Sequence, residues 1–129
     1  MSALPQTVQE SRDWIFHITA RSAWERALTT GDYRPESLAN EGFIHCSQFE
    51  QVVGTAQRYF AGHTDLVLLC IDPEAVNSEI RYEAGRDSTL FPHIYGSLNL
   101  EAVVQVIAFD ARATALPRLG GDEPNNGGC

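Results

Sequence analysis

Asp65-Leu66-Val67-Leu68-Leu69-Cys70-Ile71-Asp72 is the most apolar run in the chain, bounded by two carboxylates and followed by Pro73. Its length and branched side chains read as a β-strand buried on both faces, which Pro73 ends. Toward the N-terminus, Trp14 to Ile18 is a β-prone run, and Ser22-Ala23-Trp24-Glu25 has the capping-box form that opens a helix. Ala23, Trp24, Ala27 and Leu28 recur at helical spacing and Gly31 is the expected stop. Asp32 to Glu41, with Pro35, reads as turns; Gly42 to Ser47 reads as a second short strand. Ser47-Gln48-Phe49-Glu50 repeats the capping box with Ser47 as its N-cap, and Val52, Val53, Ala56, Tyr59 and Phe60 form an apolar stripe ending near Gly62.

Toward the C-terminus, Ser78 to Glu83 alternates Ile80 and Tyr82 against Glu79, Arg81 and Glu83, the pattern of a half-exposed strand. Leu90 to Gly96 reads as a loop because of Pro92 and Gly96, and Ala102 to Phe109 as a final strand. The order β-α-β-α-β-β-loop-β, with two main helices in the first half, predicts an α+β fold. Residues 1–116 are expected to form one domain, and the Gly/Pro/Asn-rich stretch at 117–129 a disordered tail.

Composition narrows the function. All 9 basic residues are arginine, against 17 acids, for a net charge of −8. No lysine is present to form a Schiff base or to sit in a phosphate loop. The acidic balance argues against nucleic acid or an anionic membrane surface as partner. Cys46, Cys70 and Cys129 are odd in number and form no C-x-x-C pair, so neither a disulfide framework nor a thiolate zinc site is expected. No apolar run is long enough to cross a bilayer, and the first residues lack the form of a secretory leader, so a cytoplasmic location is expected.

Three histidines sit among apolar neighbours: His17, His45 and His93. In His17-Ile18-Thr19 and His45-Cys46-Ser47 an imidazole and a hydroxyl are two residues apart, on one face of an extended chain. Each pair precedes a helix, whose N-terminal N–H groups favour an anion and disfavour a charged imidazole. If the two strands adjoin, they form a binding site for a polar anionic ligand. The same residues also have a structural reading: Ser47 as a helix cap, the histidines as hydrogen-bonded core groups, and Cys46 as a small core residue opposite His45. His93 lies between Phe91 and Tyr95, aromatic rings that can stack a planar ligand or anchor the chain. Glu83, between Arg81 and Arg86, is the candidate catalytic carboxylate, with a solvated strand end as its alternative.

These residues carry a resemblance. From about Trp14 to Phe109, through His17-Ile18-Thr19, Gly42-Phe43-Ile44-His45-Cys46-Ser47, the Leu66–Asp72 strand and Phe91-Pro92-His93-Ile94-Tyr95-Gly96, the chain resembles the small bacterial proteins called domain of unknown function 952. The order of motifs is more distantly similar to that of RNA 2′-phosphotransferases and the ADP-ribosyltransferase superfamily. That similarity implies a split pair of small, mainly antiparallel β-sheets around a cleft for NAD or ADP-ribose. It implies that His17 and Thr19 meet the ribose of the nicotinamide half, and it puts His45 on the second core strand. The transferase glutamate has Glu83 as its candidate by strand position.

Three functional readings follow. In the first, the chain binds NAD or a related nucleotide and cleaves or transfers ADP-ribose. Glu83 or His93 faces the reacting centre, with His17, Thr19, His45, Ser47, Arg81 and Tyr95 around the ligand. With no lysine present, Arg81 and Arg86 are the cations expected to meet a phosphate. In the second, His17, His45 and His93 hold a metal ion. In the third, the histidines are structural and the domain is a non-catalytic interaction module. Convergence of the three histidines on one cleft would favour the first two.

Overall fold

In the computed structural model, which describes residues 13–85 and 88–112, every residue from Leu66 to Ile71 is buried. The lead-in before Asp13, the tail at 117–129 and Arg86 lie outside the described residues. Strand β1 (Ile15–Ala20) runs straight into helix α1 (Arg21–Thr30), followed by β2 (Asp32–Tyr33), α2 (Glu36–Glu41) and β3 (Ile44–His45). A 3₁₀ turn at Phe49–Gln51 leads into α3 (Val52–Tyr59). The second half is mostly strand: β4 (Leu66–Ile71), β5 (Glu79–Ala84), β6 (Leu90–Tyr95), β7 (Leu98–Asn99) and β8 (Val103–Phe109). One antiparallel sheet has the order β1-β4-β8, a second β3-β6-β5, and β2 pairs with β7 in a two-residue ribbon. The architecture is α+β with small antiparallel sheets, as expected. No helix among the described residues is long and apolar enough to cross a membrane.

Two cores on opposite sides of β4 explain its uninterrupted apolar sequence. Val67, Leu69 and Ile71 face Trp24 and Ala27 of α1, with Tyr33, Ile44 and Ile94. Leu66, Leu68 and Cys70 face Val52 and Ala56 of α3, with Phe16 and Phe109. Burial raises the thiol pKa of Cys46, and that of Cys70 to about 12, so both behave as small core residues.

Local chemistry departs from the sequence expectations at four places. First, Ser22 caps nothing: α1 starts two residues earlier than a Ser22 cap would place it, behind Ala20, with no side-chain cap. The β1–β4 ladder runs to Ala20, and the next N–H, of Arg21, bonds the Asp65 carbonyl at 2.9 Å, so the helix begins where the ladder stops. Second, Asp32 to Glu41 is more than turns, holding β2 and α2, the latter opened behind Pro35 and stopped at Gly42 in the left-handed region.

Third, Ser47 is not an N-cap. Its backbone exchanges hydrogen bonds with Phe16 at 2.7 and 2.8 Å, and the capping box falls one residue later, on Gln48 and Gln51. Fourth, Leu90 to Tyr95 is no loop but β6, the middle strand of the second sheet. Pro92 is tolerated there because it sits where β3 ends. Its carbonyl accepts from Cys46 N–H at 3.0 Å, and the N–H that proline lacks is not needed to extend the ladder.

Candidate functional site: a cleft lined by four histidines

The two His-x-hydroxyl segments do adjoin. The Phe16 to Ser47 bridge lays β1 beside the end of β3, and His17 Nδ1 donates to the carbonyl oxygen of His45 at 2.6 Å. His17 Nε2 lies 2.8 Å from the Tyr33 hydroxyl, which is 2.9 Å from the Thr19 hydroxyl. A carbonyl can only accept, so Nδ1 carries the proton of a neutral His17 and Nε2 is left as acceptor. Tyr33 then donates to Nε2 and Thr19 to Tyr33. In a protonated His17 the chain would reverse, with Nε2 donating to Tyr33 and Tyr33 to Thr19. The neutral form prevails because burial pulls the His17 pKa down to about 4; the bond to the His45 carbonyl opposes this and the nearby His45 charge adds to it. Burial likewise pushes the Tyr33 hydroxyl up to about 12. Of the helix-end N–H groups beside this strand, that of Arg21 is spent on the Asp65 carbonyl.

The register of the second sheet sets His45, His93 and Arg81 in one row across β3, β6 and β5. Their neighbours in sequence, Ile44, Ile94 and Ile80, point to the opposite, core-facing side. On the outer side, the Phe43 ring stacks on His93 with centroids 4.2 Å apart and planes 19° apart, and the His45 and His93 rings meet edge to face at 5.4 Å. Each imidazole has a carboxylate. His45 Nε2 bonds Glu41, and His93 Nδ1 donates to Glu83 Oε1 at 2.7 Å. Tyr95 O–H donates to the same Glu83 oxygen at 2.7 Å. The His93 and Tyr95 hydrogen bonds hold the Glu83 carboxyl below the usual glutamate range, and the carboxylate raises the Tyr95 hydroxyl. In its neutral form His93, with Nδ1–H tied to Glu83, presents Nε2 as an acceptor.

His17, Thr19, His45, Ser47 and His93 all line one cleft of about 1060 Å³. Its other wall is α3 with the turn before it, which present Gln51, Gly54, Thr55 and Arg58, while Glu36, Glu41 and Glu50 supply acids. Glu83, Arg81 and Tyr95 are not among the lining residues. Glu83 reaches the cleft only through His93. Arg81 bonds Glu79 at 3.0 and 3.1 Å, and its guanidinium carbon lies 4.3 Å from the Tyr95 ring centroid. The expectation that Arg81 and Tyr95 meet a ligand in this cleft therefore lacks geometric support: their partners hold them on the sheet face outside it. The metal reading also loses its first ligand, because both His17 nitrogens are engaged. Among the described residues no group of three or more His, Cys, Asp or Glu side chains is disposed to hold a metal ion.

Sequence reading missed Tyr33, Glu41, Thr55, Arg58 and His63, the last of which also lines the cleft. Tyr33 and Glu41 fell inside a segment read as turns. The polar positions 51, 54, 55 and 58 do carry a signal: they recur at helical spacing opposite Val52 and Ala56, the two residues of α3 that are buried. Tyr59, assigned to the apolar stripe, is 59% exposed.

Over residues 18–106 the chain matches the family described as protein of unknown function, DUF952. Two crystal structures of protein CC0527 from Caulobacter crescentus, one of them a double mutant, are each 33% identical to this chain. They cover 83% of it and 95% of their own chain, with a TM-score of 0.72. The solution NMR structure of CC0527 is also 33% identical, covers 84% and 94%, and has a TM-score of 0.68. No curated protein matches the chain.

Proposed function

We propose that this chain, which belongs to the DUF952 family, binds a nucleotide-type small molecule of the NAD or ADP-ribose class in the histidine-lined cleft and cleaves or transfers at its glycosidic bond. The observation that carries this reading is the convergence of His17, Thr19, His45, Ser47 and His93 on a single cleft. A volume of about 1060 Å³ accommodates a ligand of dinucleotide size. The distant likeness to RNA 2′-phosphotransferases and ADP-ribosyltransferases supports the same ligand class.

In this reading His93 is the group that meets the reacting centre. Its bare Nε2 takes the proton of the attacking water or acceptor hydroxyl as the C1′–N bond breaks and a C1′–O bond forms. Glu83 fixes the tautomer and stabilises the imidazolium, acting as a positioning residue through His93. His45 and Ser47 hold ribose or phosphate oxygens. His17, with both nitrogens taken, keeps Tyr33 and Thr19 in place so that their hydroxyls line the ribose end.

Thermal-shift titration with NAD and ADP-ribose, followed by assay of nicotinamide release, tests this. Either ligand is expected to raise the midpoint. His93→Ala should cut turnover at least a hundredfold while retaining binding, and Glu83→Gln should lower it less and move its pH profile. No midpoint shift together with no nicotinamide release would leave the interaction-module reading in its place.

A further inference from the structure

We infer that the α3 wall of the cleft, built from Ser47, Thr55 and Arg58 around Gly54, is an anion subsite that takes a phosphoryl group. The inference deepens the nucleotide reading by placing the phosphate on α3 rather than on Arg81. Three observations carry it. Of the arginines among the described residues, Arg21, Arg34, Arg81 and Arg112 each sit against a carboxylate at 2.9 to 3.2 Å. Arg26 and Arg58 have no such partner among the described residues, and of the two only Arg58 lines the cleft. In an acidic chain, an arginine facing a cavity without a carboxylate is a charge left for something else. Its place in the last turn of α3 suits the helix dipole, but that would be served equally by any face of the helix.

The second observation is a pair of hydroxyls. Ser47 Oγ and Thr55 Oγ1 lie 3.1 Å apart, and Ser47 is 4% exposed. The pair owns two protons and spends one on its mutual bond, so one O–H is left to donate into the cleft. Thr55 and Arg58 are three residues apart on the helix, hence neighbours on one face, and the guanidinium can reach the same oxygen that the hydroxyl meets. The third is Gly54, beside them on the cleft wall. A Cβ built there would meet nothing within 4 Å, so this stretch of wall is open to a bulky tetrahedral group. Glu36, Glu41 and Glu50 also line the cleft; Glu41 is engaged by His45, Glu36 lies on the α2 side, and Glu50, in the 3₁₀ turn before α3, makes no ion pair with Arg58.

Inorganic pyrophosphate is the direct probe, titrated calorimetrically into the full chain beside ADP-ribose at constant ionic strength. Wild type should bind both. Arg58→Gln should weaken both about ten- to a hundredfold, and Thr55→Val about three- to tenfold. Arg81→Gln should leave both unchanged, and an unchanged thermal midpoint shows that the exposed Arg58 variant is folded. If pyrophosphate does not bind the wild type at millimolar concentration, or if Arg58→Gln binds both ligands as wild type does, the subsite is refuted. If Arg58→Gln binds ADP-ribose normally, the nucleotide reading survives without it. If pyrophosphate binds through Arg58 but ADP-ribose binds no tighter, the subsite stands and the nucleotide reading falls.

Discussion

Buried, neutral His17 should make the protein acid-sensitive in a defined window. In the folded chain burial lowers its pKa from 6.5 to about 4. The unfolded chain therefore binds the proton more readily, and stability falls as pH drops from 6.5 toward 4. Linkage between those two values gives losses of about 0.8 kcal/mol at pH 6, about 2 at pH 5 and about 3 at pH 4, all measured from the plateau above pH 7. Urea denaturation of wild type and His17→Gln at half-unit intervals from pH 4 to 7.5 measures this directly. The substitution should cost about 1–3 kcal/mol at pH 7.5, where it disturbs the bonds to Tyr33 and the His45 carbonyl. It should also flatten the pH dependence, so that the gap between the two proteins narrows steadily below pH 6.5. Depressed carboxyls such as Glu83 and Asp110 lose their contribution as pH falls through the acidic range in both proteins and cancel in the difference. Parallel stability curves for the two proteins between pH 6.5 and 4.5 would show that His17 is not the buried neutral group described above.

Two further substitutions probe the frame around the cleft. Tyr33→Phe removes the hydroxyl that joins His17 Nε2 to Thr19 and leaves a buried ring nitrogen without a partner; a loss of about 1–2 kcal/mol is expected from urea midpoints. Gly96→Ala places a methyl group at φ +152, against the Ser78 side chain, which itself bonds the Ser97 carbonyl at 2.8 Å. It should cost about 1–3 kcal/mol by thermal or chemical denaturation, and a neutral result would mean that the turn after β6 relaxes freely.

Much of the frame was legible because it rests on local patterns. Asp65 to Asp72 announced a strand covered on both faces, and the two cores against α1 and α3 are that cover. Gly31 stopped a helix where expected, through a left-handed residue whose N–H returns to the Ala27 carbonyl at 2.8 Å. What failed also failed for local reasons. Pro92 and Gly96 are loop signals in isolation, and only the end of β3 beside Pro92 makes a proline harmless in a middle strand. Ser22 and Ser47 are good caps in isolation, but the β1–β4 ladder hands over to the helix at Ala20 and the Ser47 backbone pairs with Phe16, so each helix start is set off its serine.

By itself the sequence determined the α+β class and the shared face of each histidine and its hydroxyl, because strand period and helix spacing are properties of neighbouring residues. It also determined that a phosphate here must be held without lysine. Tertiary structure decided which groups meet. The register of β5 on β6 gave Glu83 to His93, and the crossing of β1 and β3 turned His17 inward onto Tyr33. The packing of α3 through Val52 and Ala56 put Arg58 on the cleft, while Glu79 and Tyr95 hold Arg81 outside it. Such meetings depend on register and on how sheets and helices pack, distances that no local pattern in the chain encodes.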